Sequence, residues 1–127
     1  MAQIGYVTIG TNDLARATRF YDALLGELGA TRFIETDRGV SWSFGPGTTS
    51  LSIMKPFDGA AATIGNGVMV AIGVGDRSRV DAIHAIALRL GAIDEGRPGP
   101  RGGAGFYSGY FRDLDGNKLN VFCIERS

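Results

Sequence analysis

The sequence predicts an α+β fold made of two βαβββ modules. Two observations lead there. The chain repeats itself: slid by 63 positions, the shift that carries Tyr6 onto Met69, residues 4–13 lie over residues 67–76. Val7 then meets Val70, Ile9 meets Ile72, Gly10 meets Gly73, Asp13 meets Asp76 and Arg16 meets Arg79. In addition, each half reads as strand, amphipathic helix and then three strands. A repeat of this length in so short a chain implies two copies of one supersecondary unit, so function is sought at positions that correspond between them.

The first module covers about 1–57, a connector about 58–66 and the second module about 67–127, together one domain. Residues 3–10 are short and β-prone, and Asn12 or Asp13 offers a helix N-cap. Ala17, Tyr21, Leu24, Leu25 and Leu28 then recur three and four apart, one apolar stripe of a helix that Gly29 stops. Strands are expected at 31–35, 40–44 and 50–54, with turns at Asp37-Arg38-Gly39 and Gly45-Pro46-Gly47. In the second module a strand at 67–74 leads to Asp76 as N-cap. Val80, Ile83, Ala87 and Leu90 mark the helix, with Gly91 after it. A short strand is expected around 92–95, then a Gly/Pro/Arg segment, a strand at 106–112, a turn at Asp113-Leu114-Asp115-Gly116-Asn117 and a last strand at 118–124. The arrangement expected is a curved mixed sheet, helices outside, with a central cleft between the modules.

Composition narrows the function. Hydrophobic residues make up 44% and charged ones 20%, the balance of a globular chain. Thirteen basic and thirteen acidic side chains cancel, so the electrostatic footprint of a nucleic-acid binder is missing. The single cysteine, Cys123, excludes an intrachain disulfide and any multi-thiolate metal site. It stands in the apolar run Val121-Phe122-Cys123-Ile124 and reads as a buried hydrophobe. No apolar stretch reaches spanning length and no signal region opens the chain, so no membrane partner and a cytoplasmic location are expected.

These motifs carry a family resemblance. The carrying residues are Gly5-Tyr6-Val7-Thr8-Ile9-Gly10 with Asp13-Leu14, Arg19-Phe20-Tyr21-Asp22, residues 76–84, and Tyr110-Phe111-Arg112-Asp113-Leu114-Asp115-Gly116-Asn117-Lys118-Leu119. The chain resembles the vicinal oxygen chelate superfamily, which includes glyoxalases, bleomycin-resistance proteins and extradiol dioxygenases. Its closing hairpin usually reads Arg-Asp-Pro-Asp-Gly-Asn, and Leu114 stands here for the proline. The resemblance implies homodimers as well as the fold. Activity does not follow from it, because the superfamily hosts isomerases, lyases, dioxygenases and binding proteins.

Enzymes of this family hold a divalent metal through His, Glu or Gln on the first and fourth strands of each module. Carried over, those corners are Tyr6 and Ser52 in the first module and Met69 and Asn120 in the second. A phenol, a hydroxyl, a thioether and a neutral amide are poor ligands for Ni, Zn, Mn or Fe. The expectation is therefore no cofactor, a metal only if a glyoxalase-type lyase, isomerase or dioxygenase with a non-standard site is present, and a small organic molecule as partner.

The other pocket candidates are Trp42, Tyr107 and Arg101. Trp42 and Phe44 alternate with Ser41 and Ser43, leaving core, pocket wall or dimer contact open. Arg101 and Arg97 sit in the segment 96–109, read either as a mobile surface loop or as a ligand-gating edge, with Tyr107 following. Phe57 is placed over the pocket mouth. His84, the only histidine, corresponds to Tyr21 and is expected to pack on the sheet. A general base at His84, Tyr6 or Tyr107 belongs to the enzyme alternative. A third alternative is an interaction module whose cleft is filled by its own side chains.

Overall fold

The computed structural model describes residues 1–125. These form two compact units, Met1–Thr63 and a second beginning at Ile64. In the first, β1 (Tyr6–Gly10), α1 (Leu14–Gly26), β2 (Thr31–Glu35), β3 (Gly39–Ser43) and β4 (Ser50–Met54) follow in order. The second has β5 (Val70–Gly73), α2 (Arg77–Arg89), β6 (Ile93–Pro100), β7 (Phe106–Arg112) and β8 (Lys118–Ile124). Each unit carries one four-stranded sheet, ordered β1-β4-β3-β2 and β5-β8-β7-β6. The first pair in each order is parallel and the others antiparallel.

The internal repeat is visible in the register. Val7 pairs with Leu51 and Thr8 with Ser52, while Val70 pairs with Leu119 and Ala71 with Asn120. Both helices start in the same way: Asp13 accepts from the Arg16 amide at 3.1 Å, and Asp76 from the Arg79 amide at 2.9 Å. Such caps satisfy amides that a helix leaves unpaired at its start. Gly29, with φ +83, and Gly91, with φ +108, follow the helix ends, where the chain turns through a conformation glycine adopts without strain.

Alternation along the strands sorts each sheet into two faces. In the first unit Val40, Trp42, Leu51 and Ile53 are buried with Phe20, Tyr21, Leu24 and Leu25 of α1. The Tyr21 and Trp42 rings lie 5.8 Å apart. The opposite face carries Tyr6, Thr8, Gly10, Ser41, Ser52 and Met54. At Gly39 a side chain would strike Met54 Sδ and come within 2.6 Å of the Ile53 carbonyl, so β3 can meet the end of β4 only with glycine there. In the second unit Val80, Ile83 and Ala87 of α2 are buried with Phe111, Leu119, Val121 and Cys123.

The segment 96–109 departs from the expectation of an irregular loop. β6 runs on to Pro100 and pairs with β7, with register shifts between Asp94 and Gly96 and between Gly96 and Gly99. It is one of the two edge strands of its sheet. Edge position and bulges are where a strand accommodates proline and glycine, a possibility that composition alone concealed. Residues 101–105 make the turn: the Arg101 amide donates to Phe106 O at 2.9 Å, and the Glu125 amide ties to Gly105 O at 3.0 Å. The connector is likewise partly docked. Asn12 clasps Ala62 through both amide atoms, at 2.7 and 3.2 Å.

Candidate functional site

The exposed face of the first sheet holds an open hollow of about 840 Å³. Thr8, Ser41 and Ser52 bring hydroxyls to it, and Tyr6, Phe33, Ile34, Met54 and Phe57 bring apolar surface. Ser41 Oγ and Ser52 Oγ lie 2.6 Å apart and are buried, so each hydroxyl is largely committed to the other. Tyr6 is 70% exposed and Phe57 97% exposed, large aromatic surface that water wets when nothing else covers it. Arg38, Lys55 and Asp58 are the ionisable groups at the edge, apart from the Tyr6 phenol.

Tyr6 and Ser52, expected as site residues, thus lie on one hollow. Met69 lies on a different one, of about 630 Å³, with Val68, Arg112 and Lys118. Asn120 is 1% exposed; its Nδ2 donates to Ser108 Oγ at 2.7 Å, and Ser108 Oγ donates to the Val121 carbonyl at 3.2 Å. Asn120 Oδ1 is buried with no hydrogen-bond partner.

Three further candidates are placed elsewhere. Trp42, 1% exposed, is on the helix side of its sheet and donates from Nε1 to Asp22 Oδ1 at 2.9 Å. Ser41 and not Trp42 reaches the hollow, because neighbours along a strand point to opposite faces. Tyr107 donates its hydroxyl to Asp81 Oδ1 on α2 at 2.6 Å, beneath the Arg77 guanidinium. That hydrogen bond favours the neutral phenol and raises its pKa, the reverse of what a general base needs. Arg101 folds onto its own turn, donating to Arg97 O at 2.6 Å, with its guanidinium 5.6 Å from the Tyr110 ring centre.

His84 is buried, with Nε2 3.1 Å from both Asp94 Oδ1 and the Tyr110 carbonyl. Both are acceptors, so Nε2 carries the proton and the ring braces α2 against β6 and β7. Burial raises the pKa of the Cys123 thiol, which leaves it inert. Asp113 organises the hairpin between β7 and β8: its Oδ1 accepts from the Asp115 and Asn117 amides, each at 2.9 Å, and its Oδ2 from Asn117 Nδ2 at 3.0 Å.

Sequence reasoning missed Thr8, Ser41, Arg38 and Lys55. For Ser41 the signal was present, since the face of β3 opposite Trp42 has to be Ser41 and Ser43. Arg38 was read only as part of a turn, and its place at the hollow depends on how β3 enters beside β4.

The sequence profile of the Glyoxalase/Bleomycin resistance protein/Dioxygenase superfamily matches residues 3–121. The chain belongs to that superfamily. A glyoxalase/bleomycin resistance protein from Albidiferax ferrireducens is 32% identical, with a TM-score of 0.86 over 98% of this chain and 100% of that one. A glyoxalase/bleomycin resistance protein/dioxygenase family enzyme from Burkholderia phytofirmans, 18% identical, matches at 0.79 over 98% and 100%. The lactoylglutathione lyase of Agrobacterium tumefaciens, 21% identical, matches at 0.72 over 97% and 94%. At those last two identities the likeness is one of fold. None of the curated proteins matches the chain at a significant level.

Metal chemistry within the superfamily needs donors that this chain does not bring to the corresponding corners. Among the described residues no three His, Cys, Asp or Glu side chains gather where they could hold an ion. Tyr6 with Ser52, and Met69 with Asn120, offer no carboxylate or imidazole. Neutral oxygens and a thioether leave a divalent cation's charge uncompensated, so this donor set does not fit the metal. No helix among the described residues is long and apolar enough to cross a membrane.

Proposed function

We propose that this is a cytoplasmic, metal-free member of its superfamily that binds a small organic molecule in the hollow above Ser41 and Ser52. The observation that carries the proposal is the composition of that hollow: a floor of three hydroxyls, aromatic and aliphatic walls, and about 840 Å³ of open space. Small-molecule sites combine apolar walls with a few placed polar groups in this way. The open volume favours binding over a module filled by its own side chains. Commitment of Tyr107 and His84 to packing partners weighs against the enzyme alternative, since neither is poised for proton transfer. Large apolar side chains exposed in both units, such as Ile34 and Ile93, are consistent with a homodimer, which sedimentation would establish.

The test is a thermal-shift series with Ni, Zn, Mn and Fe(II), followed by flat aromatic compounds. Ligands that bind only the folded form raise its stability, by about 2.7 kcal/mol at a hundredfold excess over Kd. The aromatics are expected to shift Tm saturably and the metals are not. A Thr8→Trp variant, which fills the hollow, should abolish the shift. Saturable stabilisation by a metal, or turnover that appears when one is added, would overturn the proposal in favour of a lyase, isomerase or dioxygenase.

A further inference from the structure

We infer that the hollow selects organic anions, a flat apolar body bearing one carboxylate, and that Arg38 and Lys55 are the groups that select them. The inference rests on the binding proposal above and adds the charge class of the ligand.

Two cationic residues, Arg38 and Lys55, line the edge of the hollow, their backbones hydrogen-bonded to each other. The Lys55 amide donates to the Arg38 carbonyl at 2.8 Å. Arg38 Nη2 in turn donates to the Lys55 carbonyl at 3.3 Å and to the Pro56 carbonyl at 3.0 Å. These contacts fix where the guanidinium lies while consuming only Nη2. Nε and Nη1 have no hydrogen-bond partner among the described residues, and a guanidinium presents five N–H donors in all. The Phe57 ring, its centre 5.7 Å from the guanidinium carbon, holds the other side of the group.

No carboxylate lies within ion-pair distance of Arg38 or Lys55 among the described residues, whereas Arg77 and Arg112 each have one and Arg32 has two. Asp37 directly precedes Arg38 but does not line the hollow, and Asp58, three residues after Lys55, does line it and accepts through Oδ1 from the Ala60 amide at 3.0 Å. The ionisable edge therefore carries two positive charges against one negative. An incoming anion would meet a net positive edge there. Arginine with free donors is also the side chain best matched to a planar carboxylate. The apolar walls favour a ligand whose remainder is apolar, since a small inorganic anion would leave Tyr6, Phe33 and Ile34 wet.

The experiment uses three molecules of one shape on the full chain: 2-naphthoate, 2-naphthamide and 2-naphthylmethylamine, titrated by calorimetry at low salt. The expected order is acid, then amide, then amine, with the acid about tenfold tighter than the amide. Added salt should weaken the acid and leave the amide unchanged. Lys55→Glu, an exposed substitution, should reverse the order of acid and amine while the amide keeps its affinity. Arg38→Gln should also remove the preference for the acid, and its Tm shows whether the lost carbonyl contacts have damaged the fold. If all three bind equally, the charge selection is wrong and the binding proposal stands. If none binds, the hollow is not a site for such molecules and both readings fall.

Discussion

Ser41 and Ser52 face each other across β3 and β4 and share a hydrogen bond of 2.6 Å, buried beneath the hollow. Ser52→Ala would strand the Ser41 hydroxyl, costing about 1–2 kcal/mol, and Ser41→Ala should cost the same. The double variant leaves nothing unpaired. Its loss should therefore fall short of the sum of the two by about 0.5 kcal/mol or more, read by denaturant unfolding with Trp42 fluorescence. Strict additivity would show that the two hydroxyls find other partners.

Asp22 joins three elements of the first unit. Its carboxylate accepts from the Arg32 guanidinium on β2 through both oxygens, and from Trp42 Nε1 on β3 at 2.9 Å. The hydrogen bonds from Arg32 are the main reason its pKa lies below the usual carboxylate value, with Trp42 adding to the effect and partial burial opposing it. A lowered folded pKa contributes stability above the unfolded value, near ~3.9, that is lost as pH falls through the folded one. Asp22→Asn should thus cost about 1 kcal/mol at pH 7, a modest figure because the pair is partly exposed to solvent. The difference from wild type should shrink below pH ~4. A gap that does not change between pH 7 and pH 3 would exclude the ionised carboxylate as its source.

How far the sequence disclosed this molecule depends on the range of each interaction. The helices were legible because Asp13 and Asp76 announce their starts and the apolar stripes repeat locally. Strands β2, β3, β4, β7 and β8 were legible because turn residues bound short β-prone runs, and in β3 Trp42 alternates with Ser41 and Ser43. β6 was not, since Gly96, Pro98 and Gly99 signal a loop unless the bulges and the edge position are known. Within the site, Tyr6 and Ser52 came from correspondence between the halves. Arg38 escaped notice because its role depends on backbone carbonyls seventeen and eighteen residues away, at Lys55 and Pro56. Trp42 was ambiguous for want of one fact, which face of β3 meets α1.

Asn120 offers a test of buried polarity in the second sheet. It makes one hydrogen bond, to Ser108, and leaves Oδ1 without a partner. Asn120→Leu removes an unsatisfied acceptor together with that bond, so its stability should stay within about 1 kcal/mol of wild type. Asn120→Asp instead buries a carboxylate with no cation beside it, which raises the folded pKa. Its penalty should be small below the unfolded value of ~3.9, grow as pH rises from there towards the raised folded one, level off above it, and exceed about 2 kcal/mol at pH 7. Equal stability of the aspartate variant at acid and neutral pH would mean that solvent reaches this position.

The hairpin after β7 should depend on Asp113 more than on any other residue in it. Its carboxylate accepts from the Asp115 and Asn117 amides and from Asn117 Nδ2, while Gly116 takes φ +91 to close the turn. Asp113→Ala loses these contacts at a position only 4% exposed, and about 2–4 kcal/mol of stability is expected to go with them. Asp113→Asn can keep the two amide contacts through its one oxygen, but its Nδ2 then meets Asn117 Nδ2, donor against donor. A loss of about 1–2 kcal/mol follows. Exchanging the pair, Asp113→Asn with Asn117→Asp, restores a donor facing an acceptor and should recover part of that loss in a double-mutant cycle. Losses in the exchanged variant that simply add would show that the contact between the two side chains contributes nothing, and that Asp113 acts on the turn through the backbone amides alone.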